Sequence, residues 1–434
     1  MKQVLLIYML LFASSLVHGQ EIVLVSKQEI LQAVAENNNA LKIGAQDILS
    51  AKGEYQQTRA VFLPNITASY TGYATTNPLM AFGSKLNQEI LTQNDFDPAL
   101  LNDPSQVTNF STRIEIQQPL LNMDGLFHRK AAKAKLAASR QQLERTEAYI
   151  TLEVEKAFMQ LQLAYKTLEV LETAKKAAQE NLRLASNSYK QGYLQKSDVL
   201  AVEVRLTEVE NQLQYAQSTV ENSSNYLSVL MHDTTYRIMK PSDSLVISSE
   251  IMEDTSLSEE RADLQAKKYV SEAYKEQYRA DKMSFLPRLN AFGSYELYDS
   301  EIFQGDASGY LVGASLSWNI LEGSKRLGKT QKSKAEFEKS QLEYEQYKAE
   351  SEVALHRAKR MLSDAKNNLK LTQLALQQSK ESLRIRTNRF KEGLERTNDL
   401  LLAETQYAQK QLEYYTTIFQ YNYALAYVQF LTKN

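Results

Sequence analysis

Apolar residues recur every seven positions through two long stretches of the chain, and the two stretches keep one register. Val154, Leu161, Leu168, Leu182 and Tyr189 make the first series, with Lys175 in the one slot that breaks it; Ala157, Ala164, Leu171, Ala178 and Ala185 run three positions behind. Leu355, Leu362, Leu369, Leu376, Leu383 and Phe390 make the second, 201 residues further on. A seven-residue period winds helices around one another with left-handed twist, and small companions let backbones approach. A helix from about 129 to 189 would run roughly 90 Å at 1.5 Å per residue. Leu206, Leu213, Val220 and Leu227 supply a return series. Shorter helical patterns fill Ser26 to about Leu63 and about Glu259 to Phe285.

Each long series ends in the same signal. Tyr189-Lys190-Gln191-Gly192-Tyr193-Leu194 leads to Ser197-Asp198, and Phe390-Lys391-Glu392-Gly393-Leu394-Glu395-Arg396 leads to Asn398-Asp399. Gly accepts the positive φ that ends a helix, and Ser, Asn or Asp can cap the next one. Residues 189–200 and 390–401 are therefore predicted hairpin tips.

Four segments change to period two. Ile66, Ala68, Tyr70 and Gly72 oppose Asn65, Thr67, Ser69 and Thr71; Phe110, Thr112, Ile114 and Ile116 oppose Ser111, Arg113, Glu115 and Gln117. In the second half, Leu289, Ala291, Gly293, Tyr295 and Leu297 oppose Asn290, Phe292, Ser294 and Glu296. Tyr310, Val312, Ala314, Leu316, Trp318 and Ile320 complete the set. These predict strands at about 65–73, 110–118, 289–298 and 310–320; the second has one face fit for water and one fit for lipid or for the inside of an ordinary soluble sheet, and the polar face of the third is imperfect, with Phe292 in it. Pro64 and Pro287, in matching Phe-Leu-Pro sequences, mark the helix-to-strand transitions. Trp318, the only Trp, suits a membrane interface. Residues of about 74–109 read as a long polar loop, and Leu245-Val246-Ile247 as a short β-prone run.

The order helix, Pro, strand, loop, strand, long helix, tip, return helix thus occurs twice. It predicts a first repeat over 20–231 and a second over 259–434, joined by an equatorial linker at 232–258. The first 19 residues, a basic start followed by a short apolar run, read as a secretory signal peptide; an anchor would need about 18 to 20 apolar residues.

Composition narrows the function. Only 14 Gly and 7 Pro in 434 residues suit long unbroken helices, and a formal net charge of −2 gives no footprint for nucleic acid. With no Cys there is no thiolate metal site or nucleophile. His18, His128, His232 and His356 lack ligand spacing, and no phosphate-binding Gly loop occurs, so no enzyme or cofactor is predicted. Four strands cannot close in lipid without exposing backbone groups at two edges, so self-association is expected; three chains would give twelve strands.

The leader, the twofold repeat, the paired Phe-Leu-Pro transitions, the Gln118-Pro119-Leu120-Leu121 exit and both Gly-x5-Asp tips together resemble the TolC-like outer-membrane efflux protein family. The resemblance covers essentially the whole mature chain. It implies a mainly α protein with a membrane β-barrel. In that architecture a homotrimer carries a twelve-stranded barrel, open to the outside, in the outer-membrane lipid of a Gram-negative bacterium, and an α-helical tunnel crosses the periplasm. It also implies a passive, gated exit duct for efflux or type I secretion, docked through a periplasmic adaptor onto an inner-membrane transporter. Asp198 and Asp399 fall where the family can carry acidic gate residues, with Leu402 where some relatives have a second acid and Glu404 nearby. Capping competes with pore lining for both Asp. Tyr193, Leu194, Leu394 and Arg396 are adaptor-contact candidates. The rival from another class is a periplasmic or surface coiled-coil structural or adaptor protein.

Overall fold

In the computed structural model, which describes residues 22–249 and 256–433, the chain opens with strand β1 (Ile22–Val25) and helices α1 (Lys27–Asn37) and α2 (Asn39–Gln57). There follow β2 (Asn65–Thr75), α3 (Pro78–Asn87), α4 (Pro98–Asn102), β3 (Val107–Leu121), and the 68-residue α5 (Met123–Lys190). Next come α6 (Lys196–Met231), β4 (Ile238–Pro241), α7 (Ala262–Met283), β5 (Arg288–Asp299), β6 (Ala307–Ser317), the 67-residue α8 (Lys325–Lys391) and α9 (Thr397–Thr432). The predicted leader and residues 250–255 of the predicted linker lie outside the described residues.

Contacts divide the chain into two units, one of residues 47–140 and 266–345, the other of the remainder. The first holds an antiparallel sheet in the order β2-β3-β5-β6. Its register puts Ile66 opposite Ile116, Ile114 opposite Tyr295, and Tyr295 opposite Tyr310. All four apolar sets read from the sequence therefore share one face, and it is exposed: Ile66 is 62% accessible, Val312 74% and Leu316 66%. The other face gathers Ser69, Arg113 and Glu296 in one row, with Arg113 Nε 3.1 Å from Glu296. Phe292, the apolar intruder on that face, lies across Gly313, where an added Cβ would meet its ring at 2.7 Å. An aromatic laid over a strand glycine fills the space that the missing side chain leaves.

The two helix-to-strand transitions are built alike. At Phe62-Leu63-Pro64 and Phe285-Leu286-Pro287 the helical bonding loosens into single turns, and the strand starts one residue after each Pro. Several boundaries differ from expectation. β6 ends at Ser317, so Trp318, Asn319 and Ile320 lie beyond the ladder, and the Trp318 indole N–H donates to Phe285 O at 3.0 Å. β6 also starts earlier than the expected 310, at Ala307, so Gly309 lies within it. The stretch expected as a polar loop contains α3 and α4, because Asn77 and Asp97 cap helices that each begin with Pro.

The second unit holds the heptad seams. Val154 and Leu161 are completely buried, and so are the small companions Ala157, Ala164, Ala178 and Ala185. Lys175, the break in the series, reaches Glu210 on α6 at 3.0 Å. On α6 the deep positions are Val202, Val209 and Ala216, then Val220 and Leu227; Leu206 and Leu213 are only half-buried, because the small side chains allow the closer approach. The helix expected from Ser26 to Leu63 breaks at Asn38, whose extended backbone ends α1. Its side chain accepts from the N–H of Ala40 and donates to Leu230 O at 2.8 Å. The predicted β-run at 245–247 is no strand: Leu245 is buried beside Leu369 and Ile418, while Asn422 hydrogen-bonds Val246 O and Ser248 N. The strand of this region is instead β4, parallel to β1.

The end of α9 is held by a buried ionic cluster. Arg261, 2% exposed, donates to both carboxylate oxygens of Asp263, to Ser351 and to Leu431 O. Arg145 adds a contact with Asp263 at 3.2 Å and a bond to Phe430 O, and Tyr347 donates to Asp263. Guanidiniums on the last carbonyls satisfy acceptors that a helix terminus leaves open. Burial would raise the Asp263 carboxyl, but the bonds from Arg261 and Tyr347 and the Arg145 charge outweigh it and hold the group below its ordinary value.

Candidate functional site

The two hairpin tips fold by one rule. The N–H of Gly192 bonds Tyr189 O and that of Tyr193 bonds Ser188 O, both at 2.9 Å. The second tip repeats this with Gly393 to Phe390 O at 3.0 Å and Leu394 to Arg389 O at 2.8 Å. This paired closure requires left-handed backbone, which Gly192 (φ 82°) and Gly393 (φ 71°) supply. Gln195 and Arg396 are then extended and start the return helices, so each Asp occupies the third helical position and not the cap itself.

Asp198 nevertheless serves the cap: one carboxylate oxygen accepts the Gln195 N–H at 3.0 Å. Asp399 stands at the matching position; both are half-buried. The tips differ in what fills one shared slot. At the first, Leu194 packs against a cluster of Ala185, Val199, Val202 and, from the second hairpin, Leu401. At the second, Glu395 takes the place of Leu194 and is gripped by Arg386 at 2.6 Å and Arg389 at 2.8 Å. The bond from Arg389, with Arg386 beside it, holds the Glu395 carboxyl below its usual range. Glu404 turns to Asn181 at 2.6 Å, and its burial raises its carboxyl.

Of the predicted surface residues, Tyr193 is 79% and Leu394 66% accessible, Arg396 is exposed, and Leu194 is mostly covered. Tyr189 has Lys196 over its ring at 5.9 Å, while Phe390 is half-buried. Pro64, Pro287 and Trp318 belong to the sheet unit. The residues that sequence reasoning missed are Arg386, Arg389 and Glu395. Comparing the halves at an offset of 201 pairs Glu395 with Leu194 and Arg386 with Ala185, a change from apolar to charged that would have marked the slot. Among the described residues no helix is long and apolar enough to cross a membrane, and no cluster of side chains has the makings of a metal site.

The family model described as outer membrane efflux protein matches residues 30–231 and 255–431. A membrane protein from Pseudomonas aeruginosa superimposes with a TM-score of 0.81 at 16% identity, over 94% of this chain and 93% of that one. The CmeC outer membrane channel of Campylobacter jejuni gives 0.78 at 16% identity, over 94% and 85%. The outer membrane protein VceC of Vibrio cholerae gives 0.75 at 16% identity, over 94% and 96%. No curated protein sequence matches the chain. At these identities the likeness is one of fold.

Proposed function

The chain belongs to the outer membrane efflux protein family, and from that premise we propose that three copies close their sheets into one twelve-stranded barrel continued by a periplasmic helical tunnel. The observation that carries this reading is the sheet itself: an exposed apolar face, a polar face, and free edges on β2 and β6. In lipid such edges must be paired, and identical chains placed head to tail pair them. Residues 20–231 and 259–434 act as two copies of one unit, a reading supported by their matching tips and transitions.

The protein is an outer-membrane exit duct and not an enzyme; family members work with adaptor proteins and inner-membrane pumps. Conduction is passive and the pump supplies the energy. We assign the gate and the adaptor contact to the tips. Gly192, Gly393, Tyr189 and Phe390 set the turns; Tyr193, Leu194, Leu394 and Arg396 surround the docking surface, Leu194 from beneath. Asp198 and Asp399 put six carboxylates at one level of a trimer, which would raise local cation concentration. Replacing both by Asn and measuring the reversal potential in a salt gradient tests the ring: reduced cation preference supports it, and an unchanged potential removes it. Capture of an adaptor by wild type, lost in Tyr193→Ala with Leu394→Ala, tests the docking surface.

A further inference from the structure

The sheet unit carries one insertion that a plain duct does not need. At one end of the sheet every strand continues into a helical segment, at Asn65, Leu121, Arg288 and Ser317. At the other end the connections are residues 300–306 and the far longer 76–106. The short one turns to the apolar face, where Phe303 stacks on Tyr70 with centroids 4.4 Å apart. The long one goes the opposite way. Ser84 of α3 bonds the Tyr73 hydroxyl at 3.0 Å, and Gln88, 3% exposed, donates to Asn109 Oδ1, Thr108 O and Asp299 O. Tyr73 and Asn109 face each other on the polar side of the sheet.

Ala81, Ser84 and Gln88 thus form the buried stripe by which the insertion is fixed over the polar face. Leu79 and Leu86, one heptad apart on the far side of α3, are 81% and 56% exposed; Ile90, Phe96 and Leu100 add 48%, 59% and 52%. Lys85 and Asp95, 2.6 Å apart, and the edge contact of Phe82 with Phe96 make the insertion a folded body. An apolar surface on the water side of the sheet cannot be covered by lipid.

We propose that this surface docks against its own copies, so that the three insertions of a trimer close the external mouth of the barrel. The inference rests on the barrel reading. Twelve strands about 4.8 Å apart and tilted about 40° enclose a backbone circle roughly 24 Å across. A body about 10 Å thick held over the polar face of each sheet therefore reaches to near the barrel axis, within contact of its two copies. The duct is then gated at both ends, and export requires the Leu79 and Leu86 contacts to part.

The chain has no Cys, so Leu79→Cys gives a single thiol. Full-length protein in outer membranes is oxidised, and conductance is measured in planar bilayers for wild type, for a double Leu79→Asp, Leu86→Asp variant, and for one with 77–105 replaced by a Gly-Ser turn. The double variant keeps Ala81, Ser84 and Gln88 and so guards against misfolding of the deletion. Disulfide-linked dimers within the trimer, with a severalfold rise in conductance in either variant, support the outer gate. A conducting trimer with no cross-link and unchanged conductance overturns it and leaves the barrel standing. Protein that neither forms trimers nor conducts overturns the barrel reading, and the gate with it.

Discussion

Replacing Arg261 by Met should loosen the end of α9 far beyond what a single surface arginine would. The Arg261 side chain is 2% exposed and the Asp263 side chain 7%, and the two share bonds of 2.6 and 2.9 Å. Removing one member of a buried pair costs about 3–5 kcal/mol, because the other charge is left without its partner. Arg145 at 3.2 Å and Tyr347 at 2.7 Å remain on Asp263, which puts the cost near the lower end, about 3 kcal/mol. That is roughly 150-fold in an opening equilibrium. Amide hydrogen exchange of the purified protein in detergent should show this loss of protection in the last turn of α9. Adding Asp263→Asn takes the carboxylate from Arg145, whose side chain is 13% exposed, and so should loosen the end of α9 further. The pH dependence follows from the lowered Asp263 value. Its contribution is complete above the unfolded value of about 3.9 and fades as pH falls through the folded one. Wild type should lose protection there and the double variant should not. Unchanged exchange in Arg261→Met, or a double variant as well protected as wild type, would mean that the ionic cluster does not hold the end of α9.

Ala at Gly192 or Gly393 meets nothing within 4 Å, so its cost is the left-handed backbone alone, about 1–2 kcal/mol; faster exchange confined to the tip is the expected result. Glu395→Gln should free Arg386 and Arg389 and speed tip exchange at neutral pH. Wild type should match it only as pH falls below the unfolded value of about 4.3 and through the lowered folded one. Leu161→Ala empties a fully buried site and should cost about 2–5 kcal/mol, read as a lower midpoint of thermal unfolding. Leu213→Ala, at a half-buried position, should move that midpoint less. The insertion should stay folded to acid pH, because the bond from Lys85 holds Asp95 down at about 2; cleavage there by pepsin, which works in acid, should rise only below about pH 4.

The faces of the strands were legible because period two allows only one assignment once a side is chosen, and four segments chose consistently. The tips were legible because Gly and Asp recur at one spacing. Elsewhere a local signal was outweighed. Leu245-Val246-Ile247 has β-prone residues but finds Asn422 instead of a strand. Leu206 and Leu213 are larger than Val202 and Val209, yet the smaller side chains take the seam. Asn77-Pro78 and Asp97-Pro98 were readable helix starts, hidden in a polar stretch of length typical of a loop. The Glu395 grip needs three residues spread over ten positions, and only comparison of the two halves brings them into view.

A water-filled duct must pass ions from one side of a membrane to the other. Purified full-length protein added to a planar lipid bilayer tests it most directly. Discrete, long-lived conductance steps are expected from a species that runs as a heat-sensitive trimer, larger when the external mouth is opened. A monodisperse trimer that leaves the bilayer silent in wild type and in both mouth variants would contradict it.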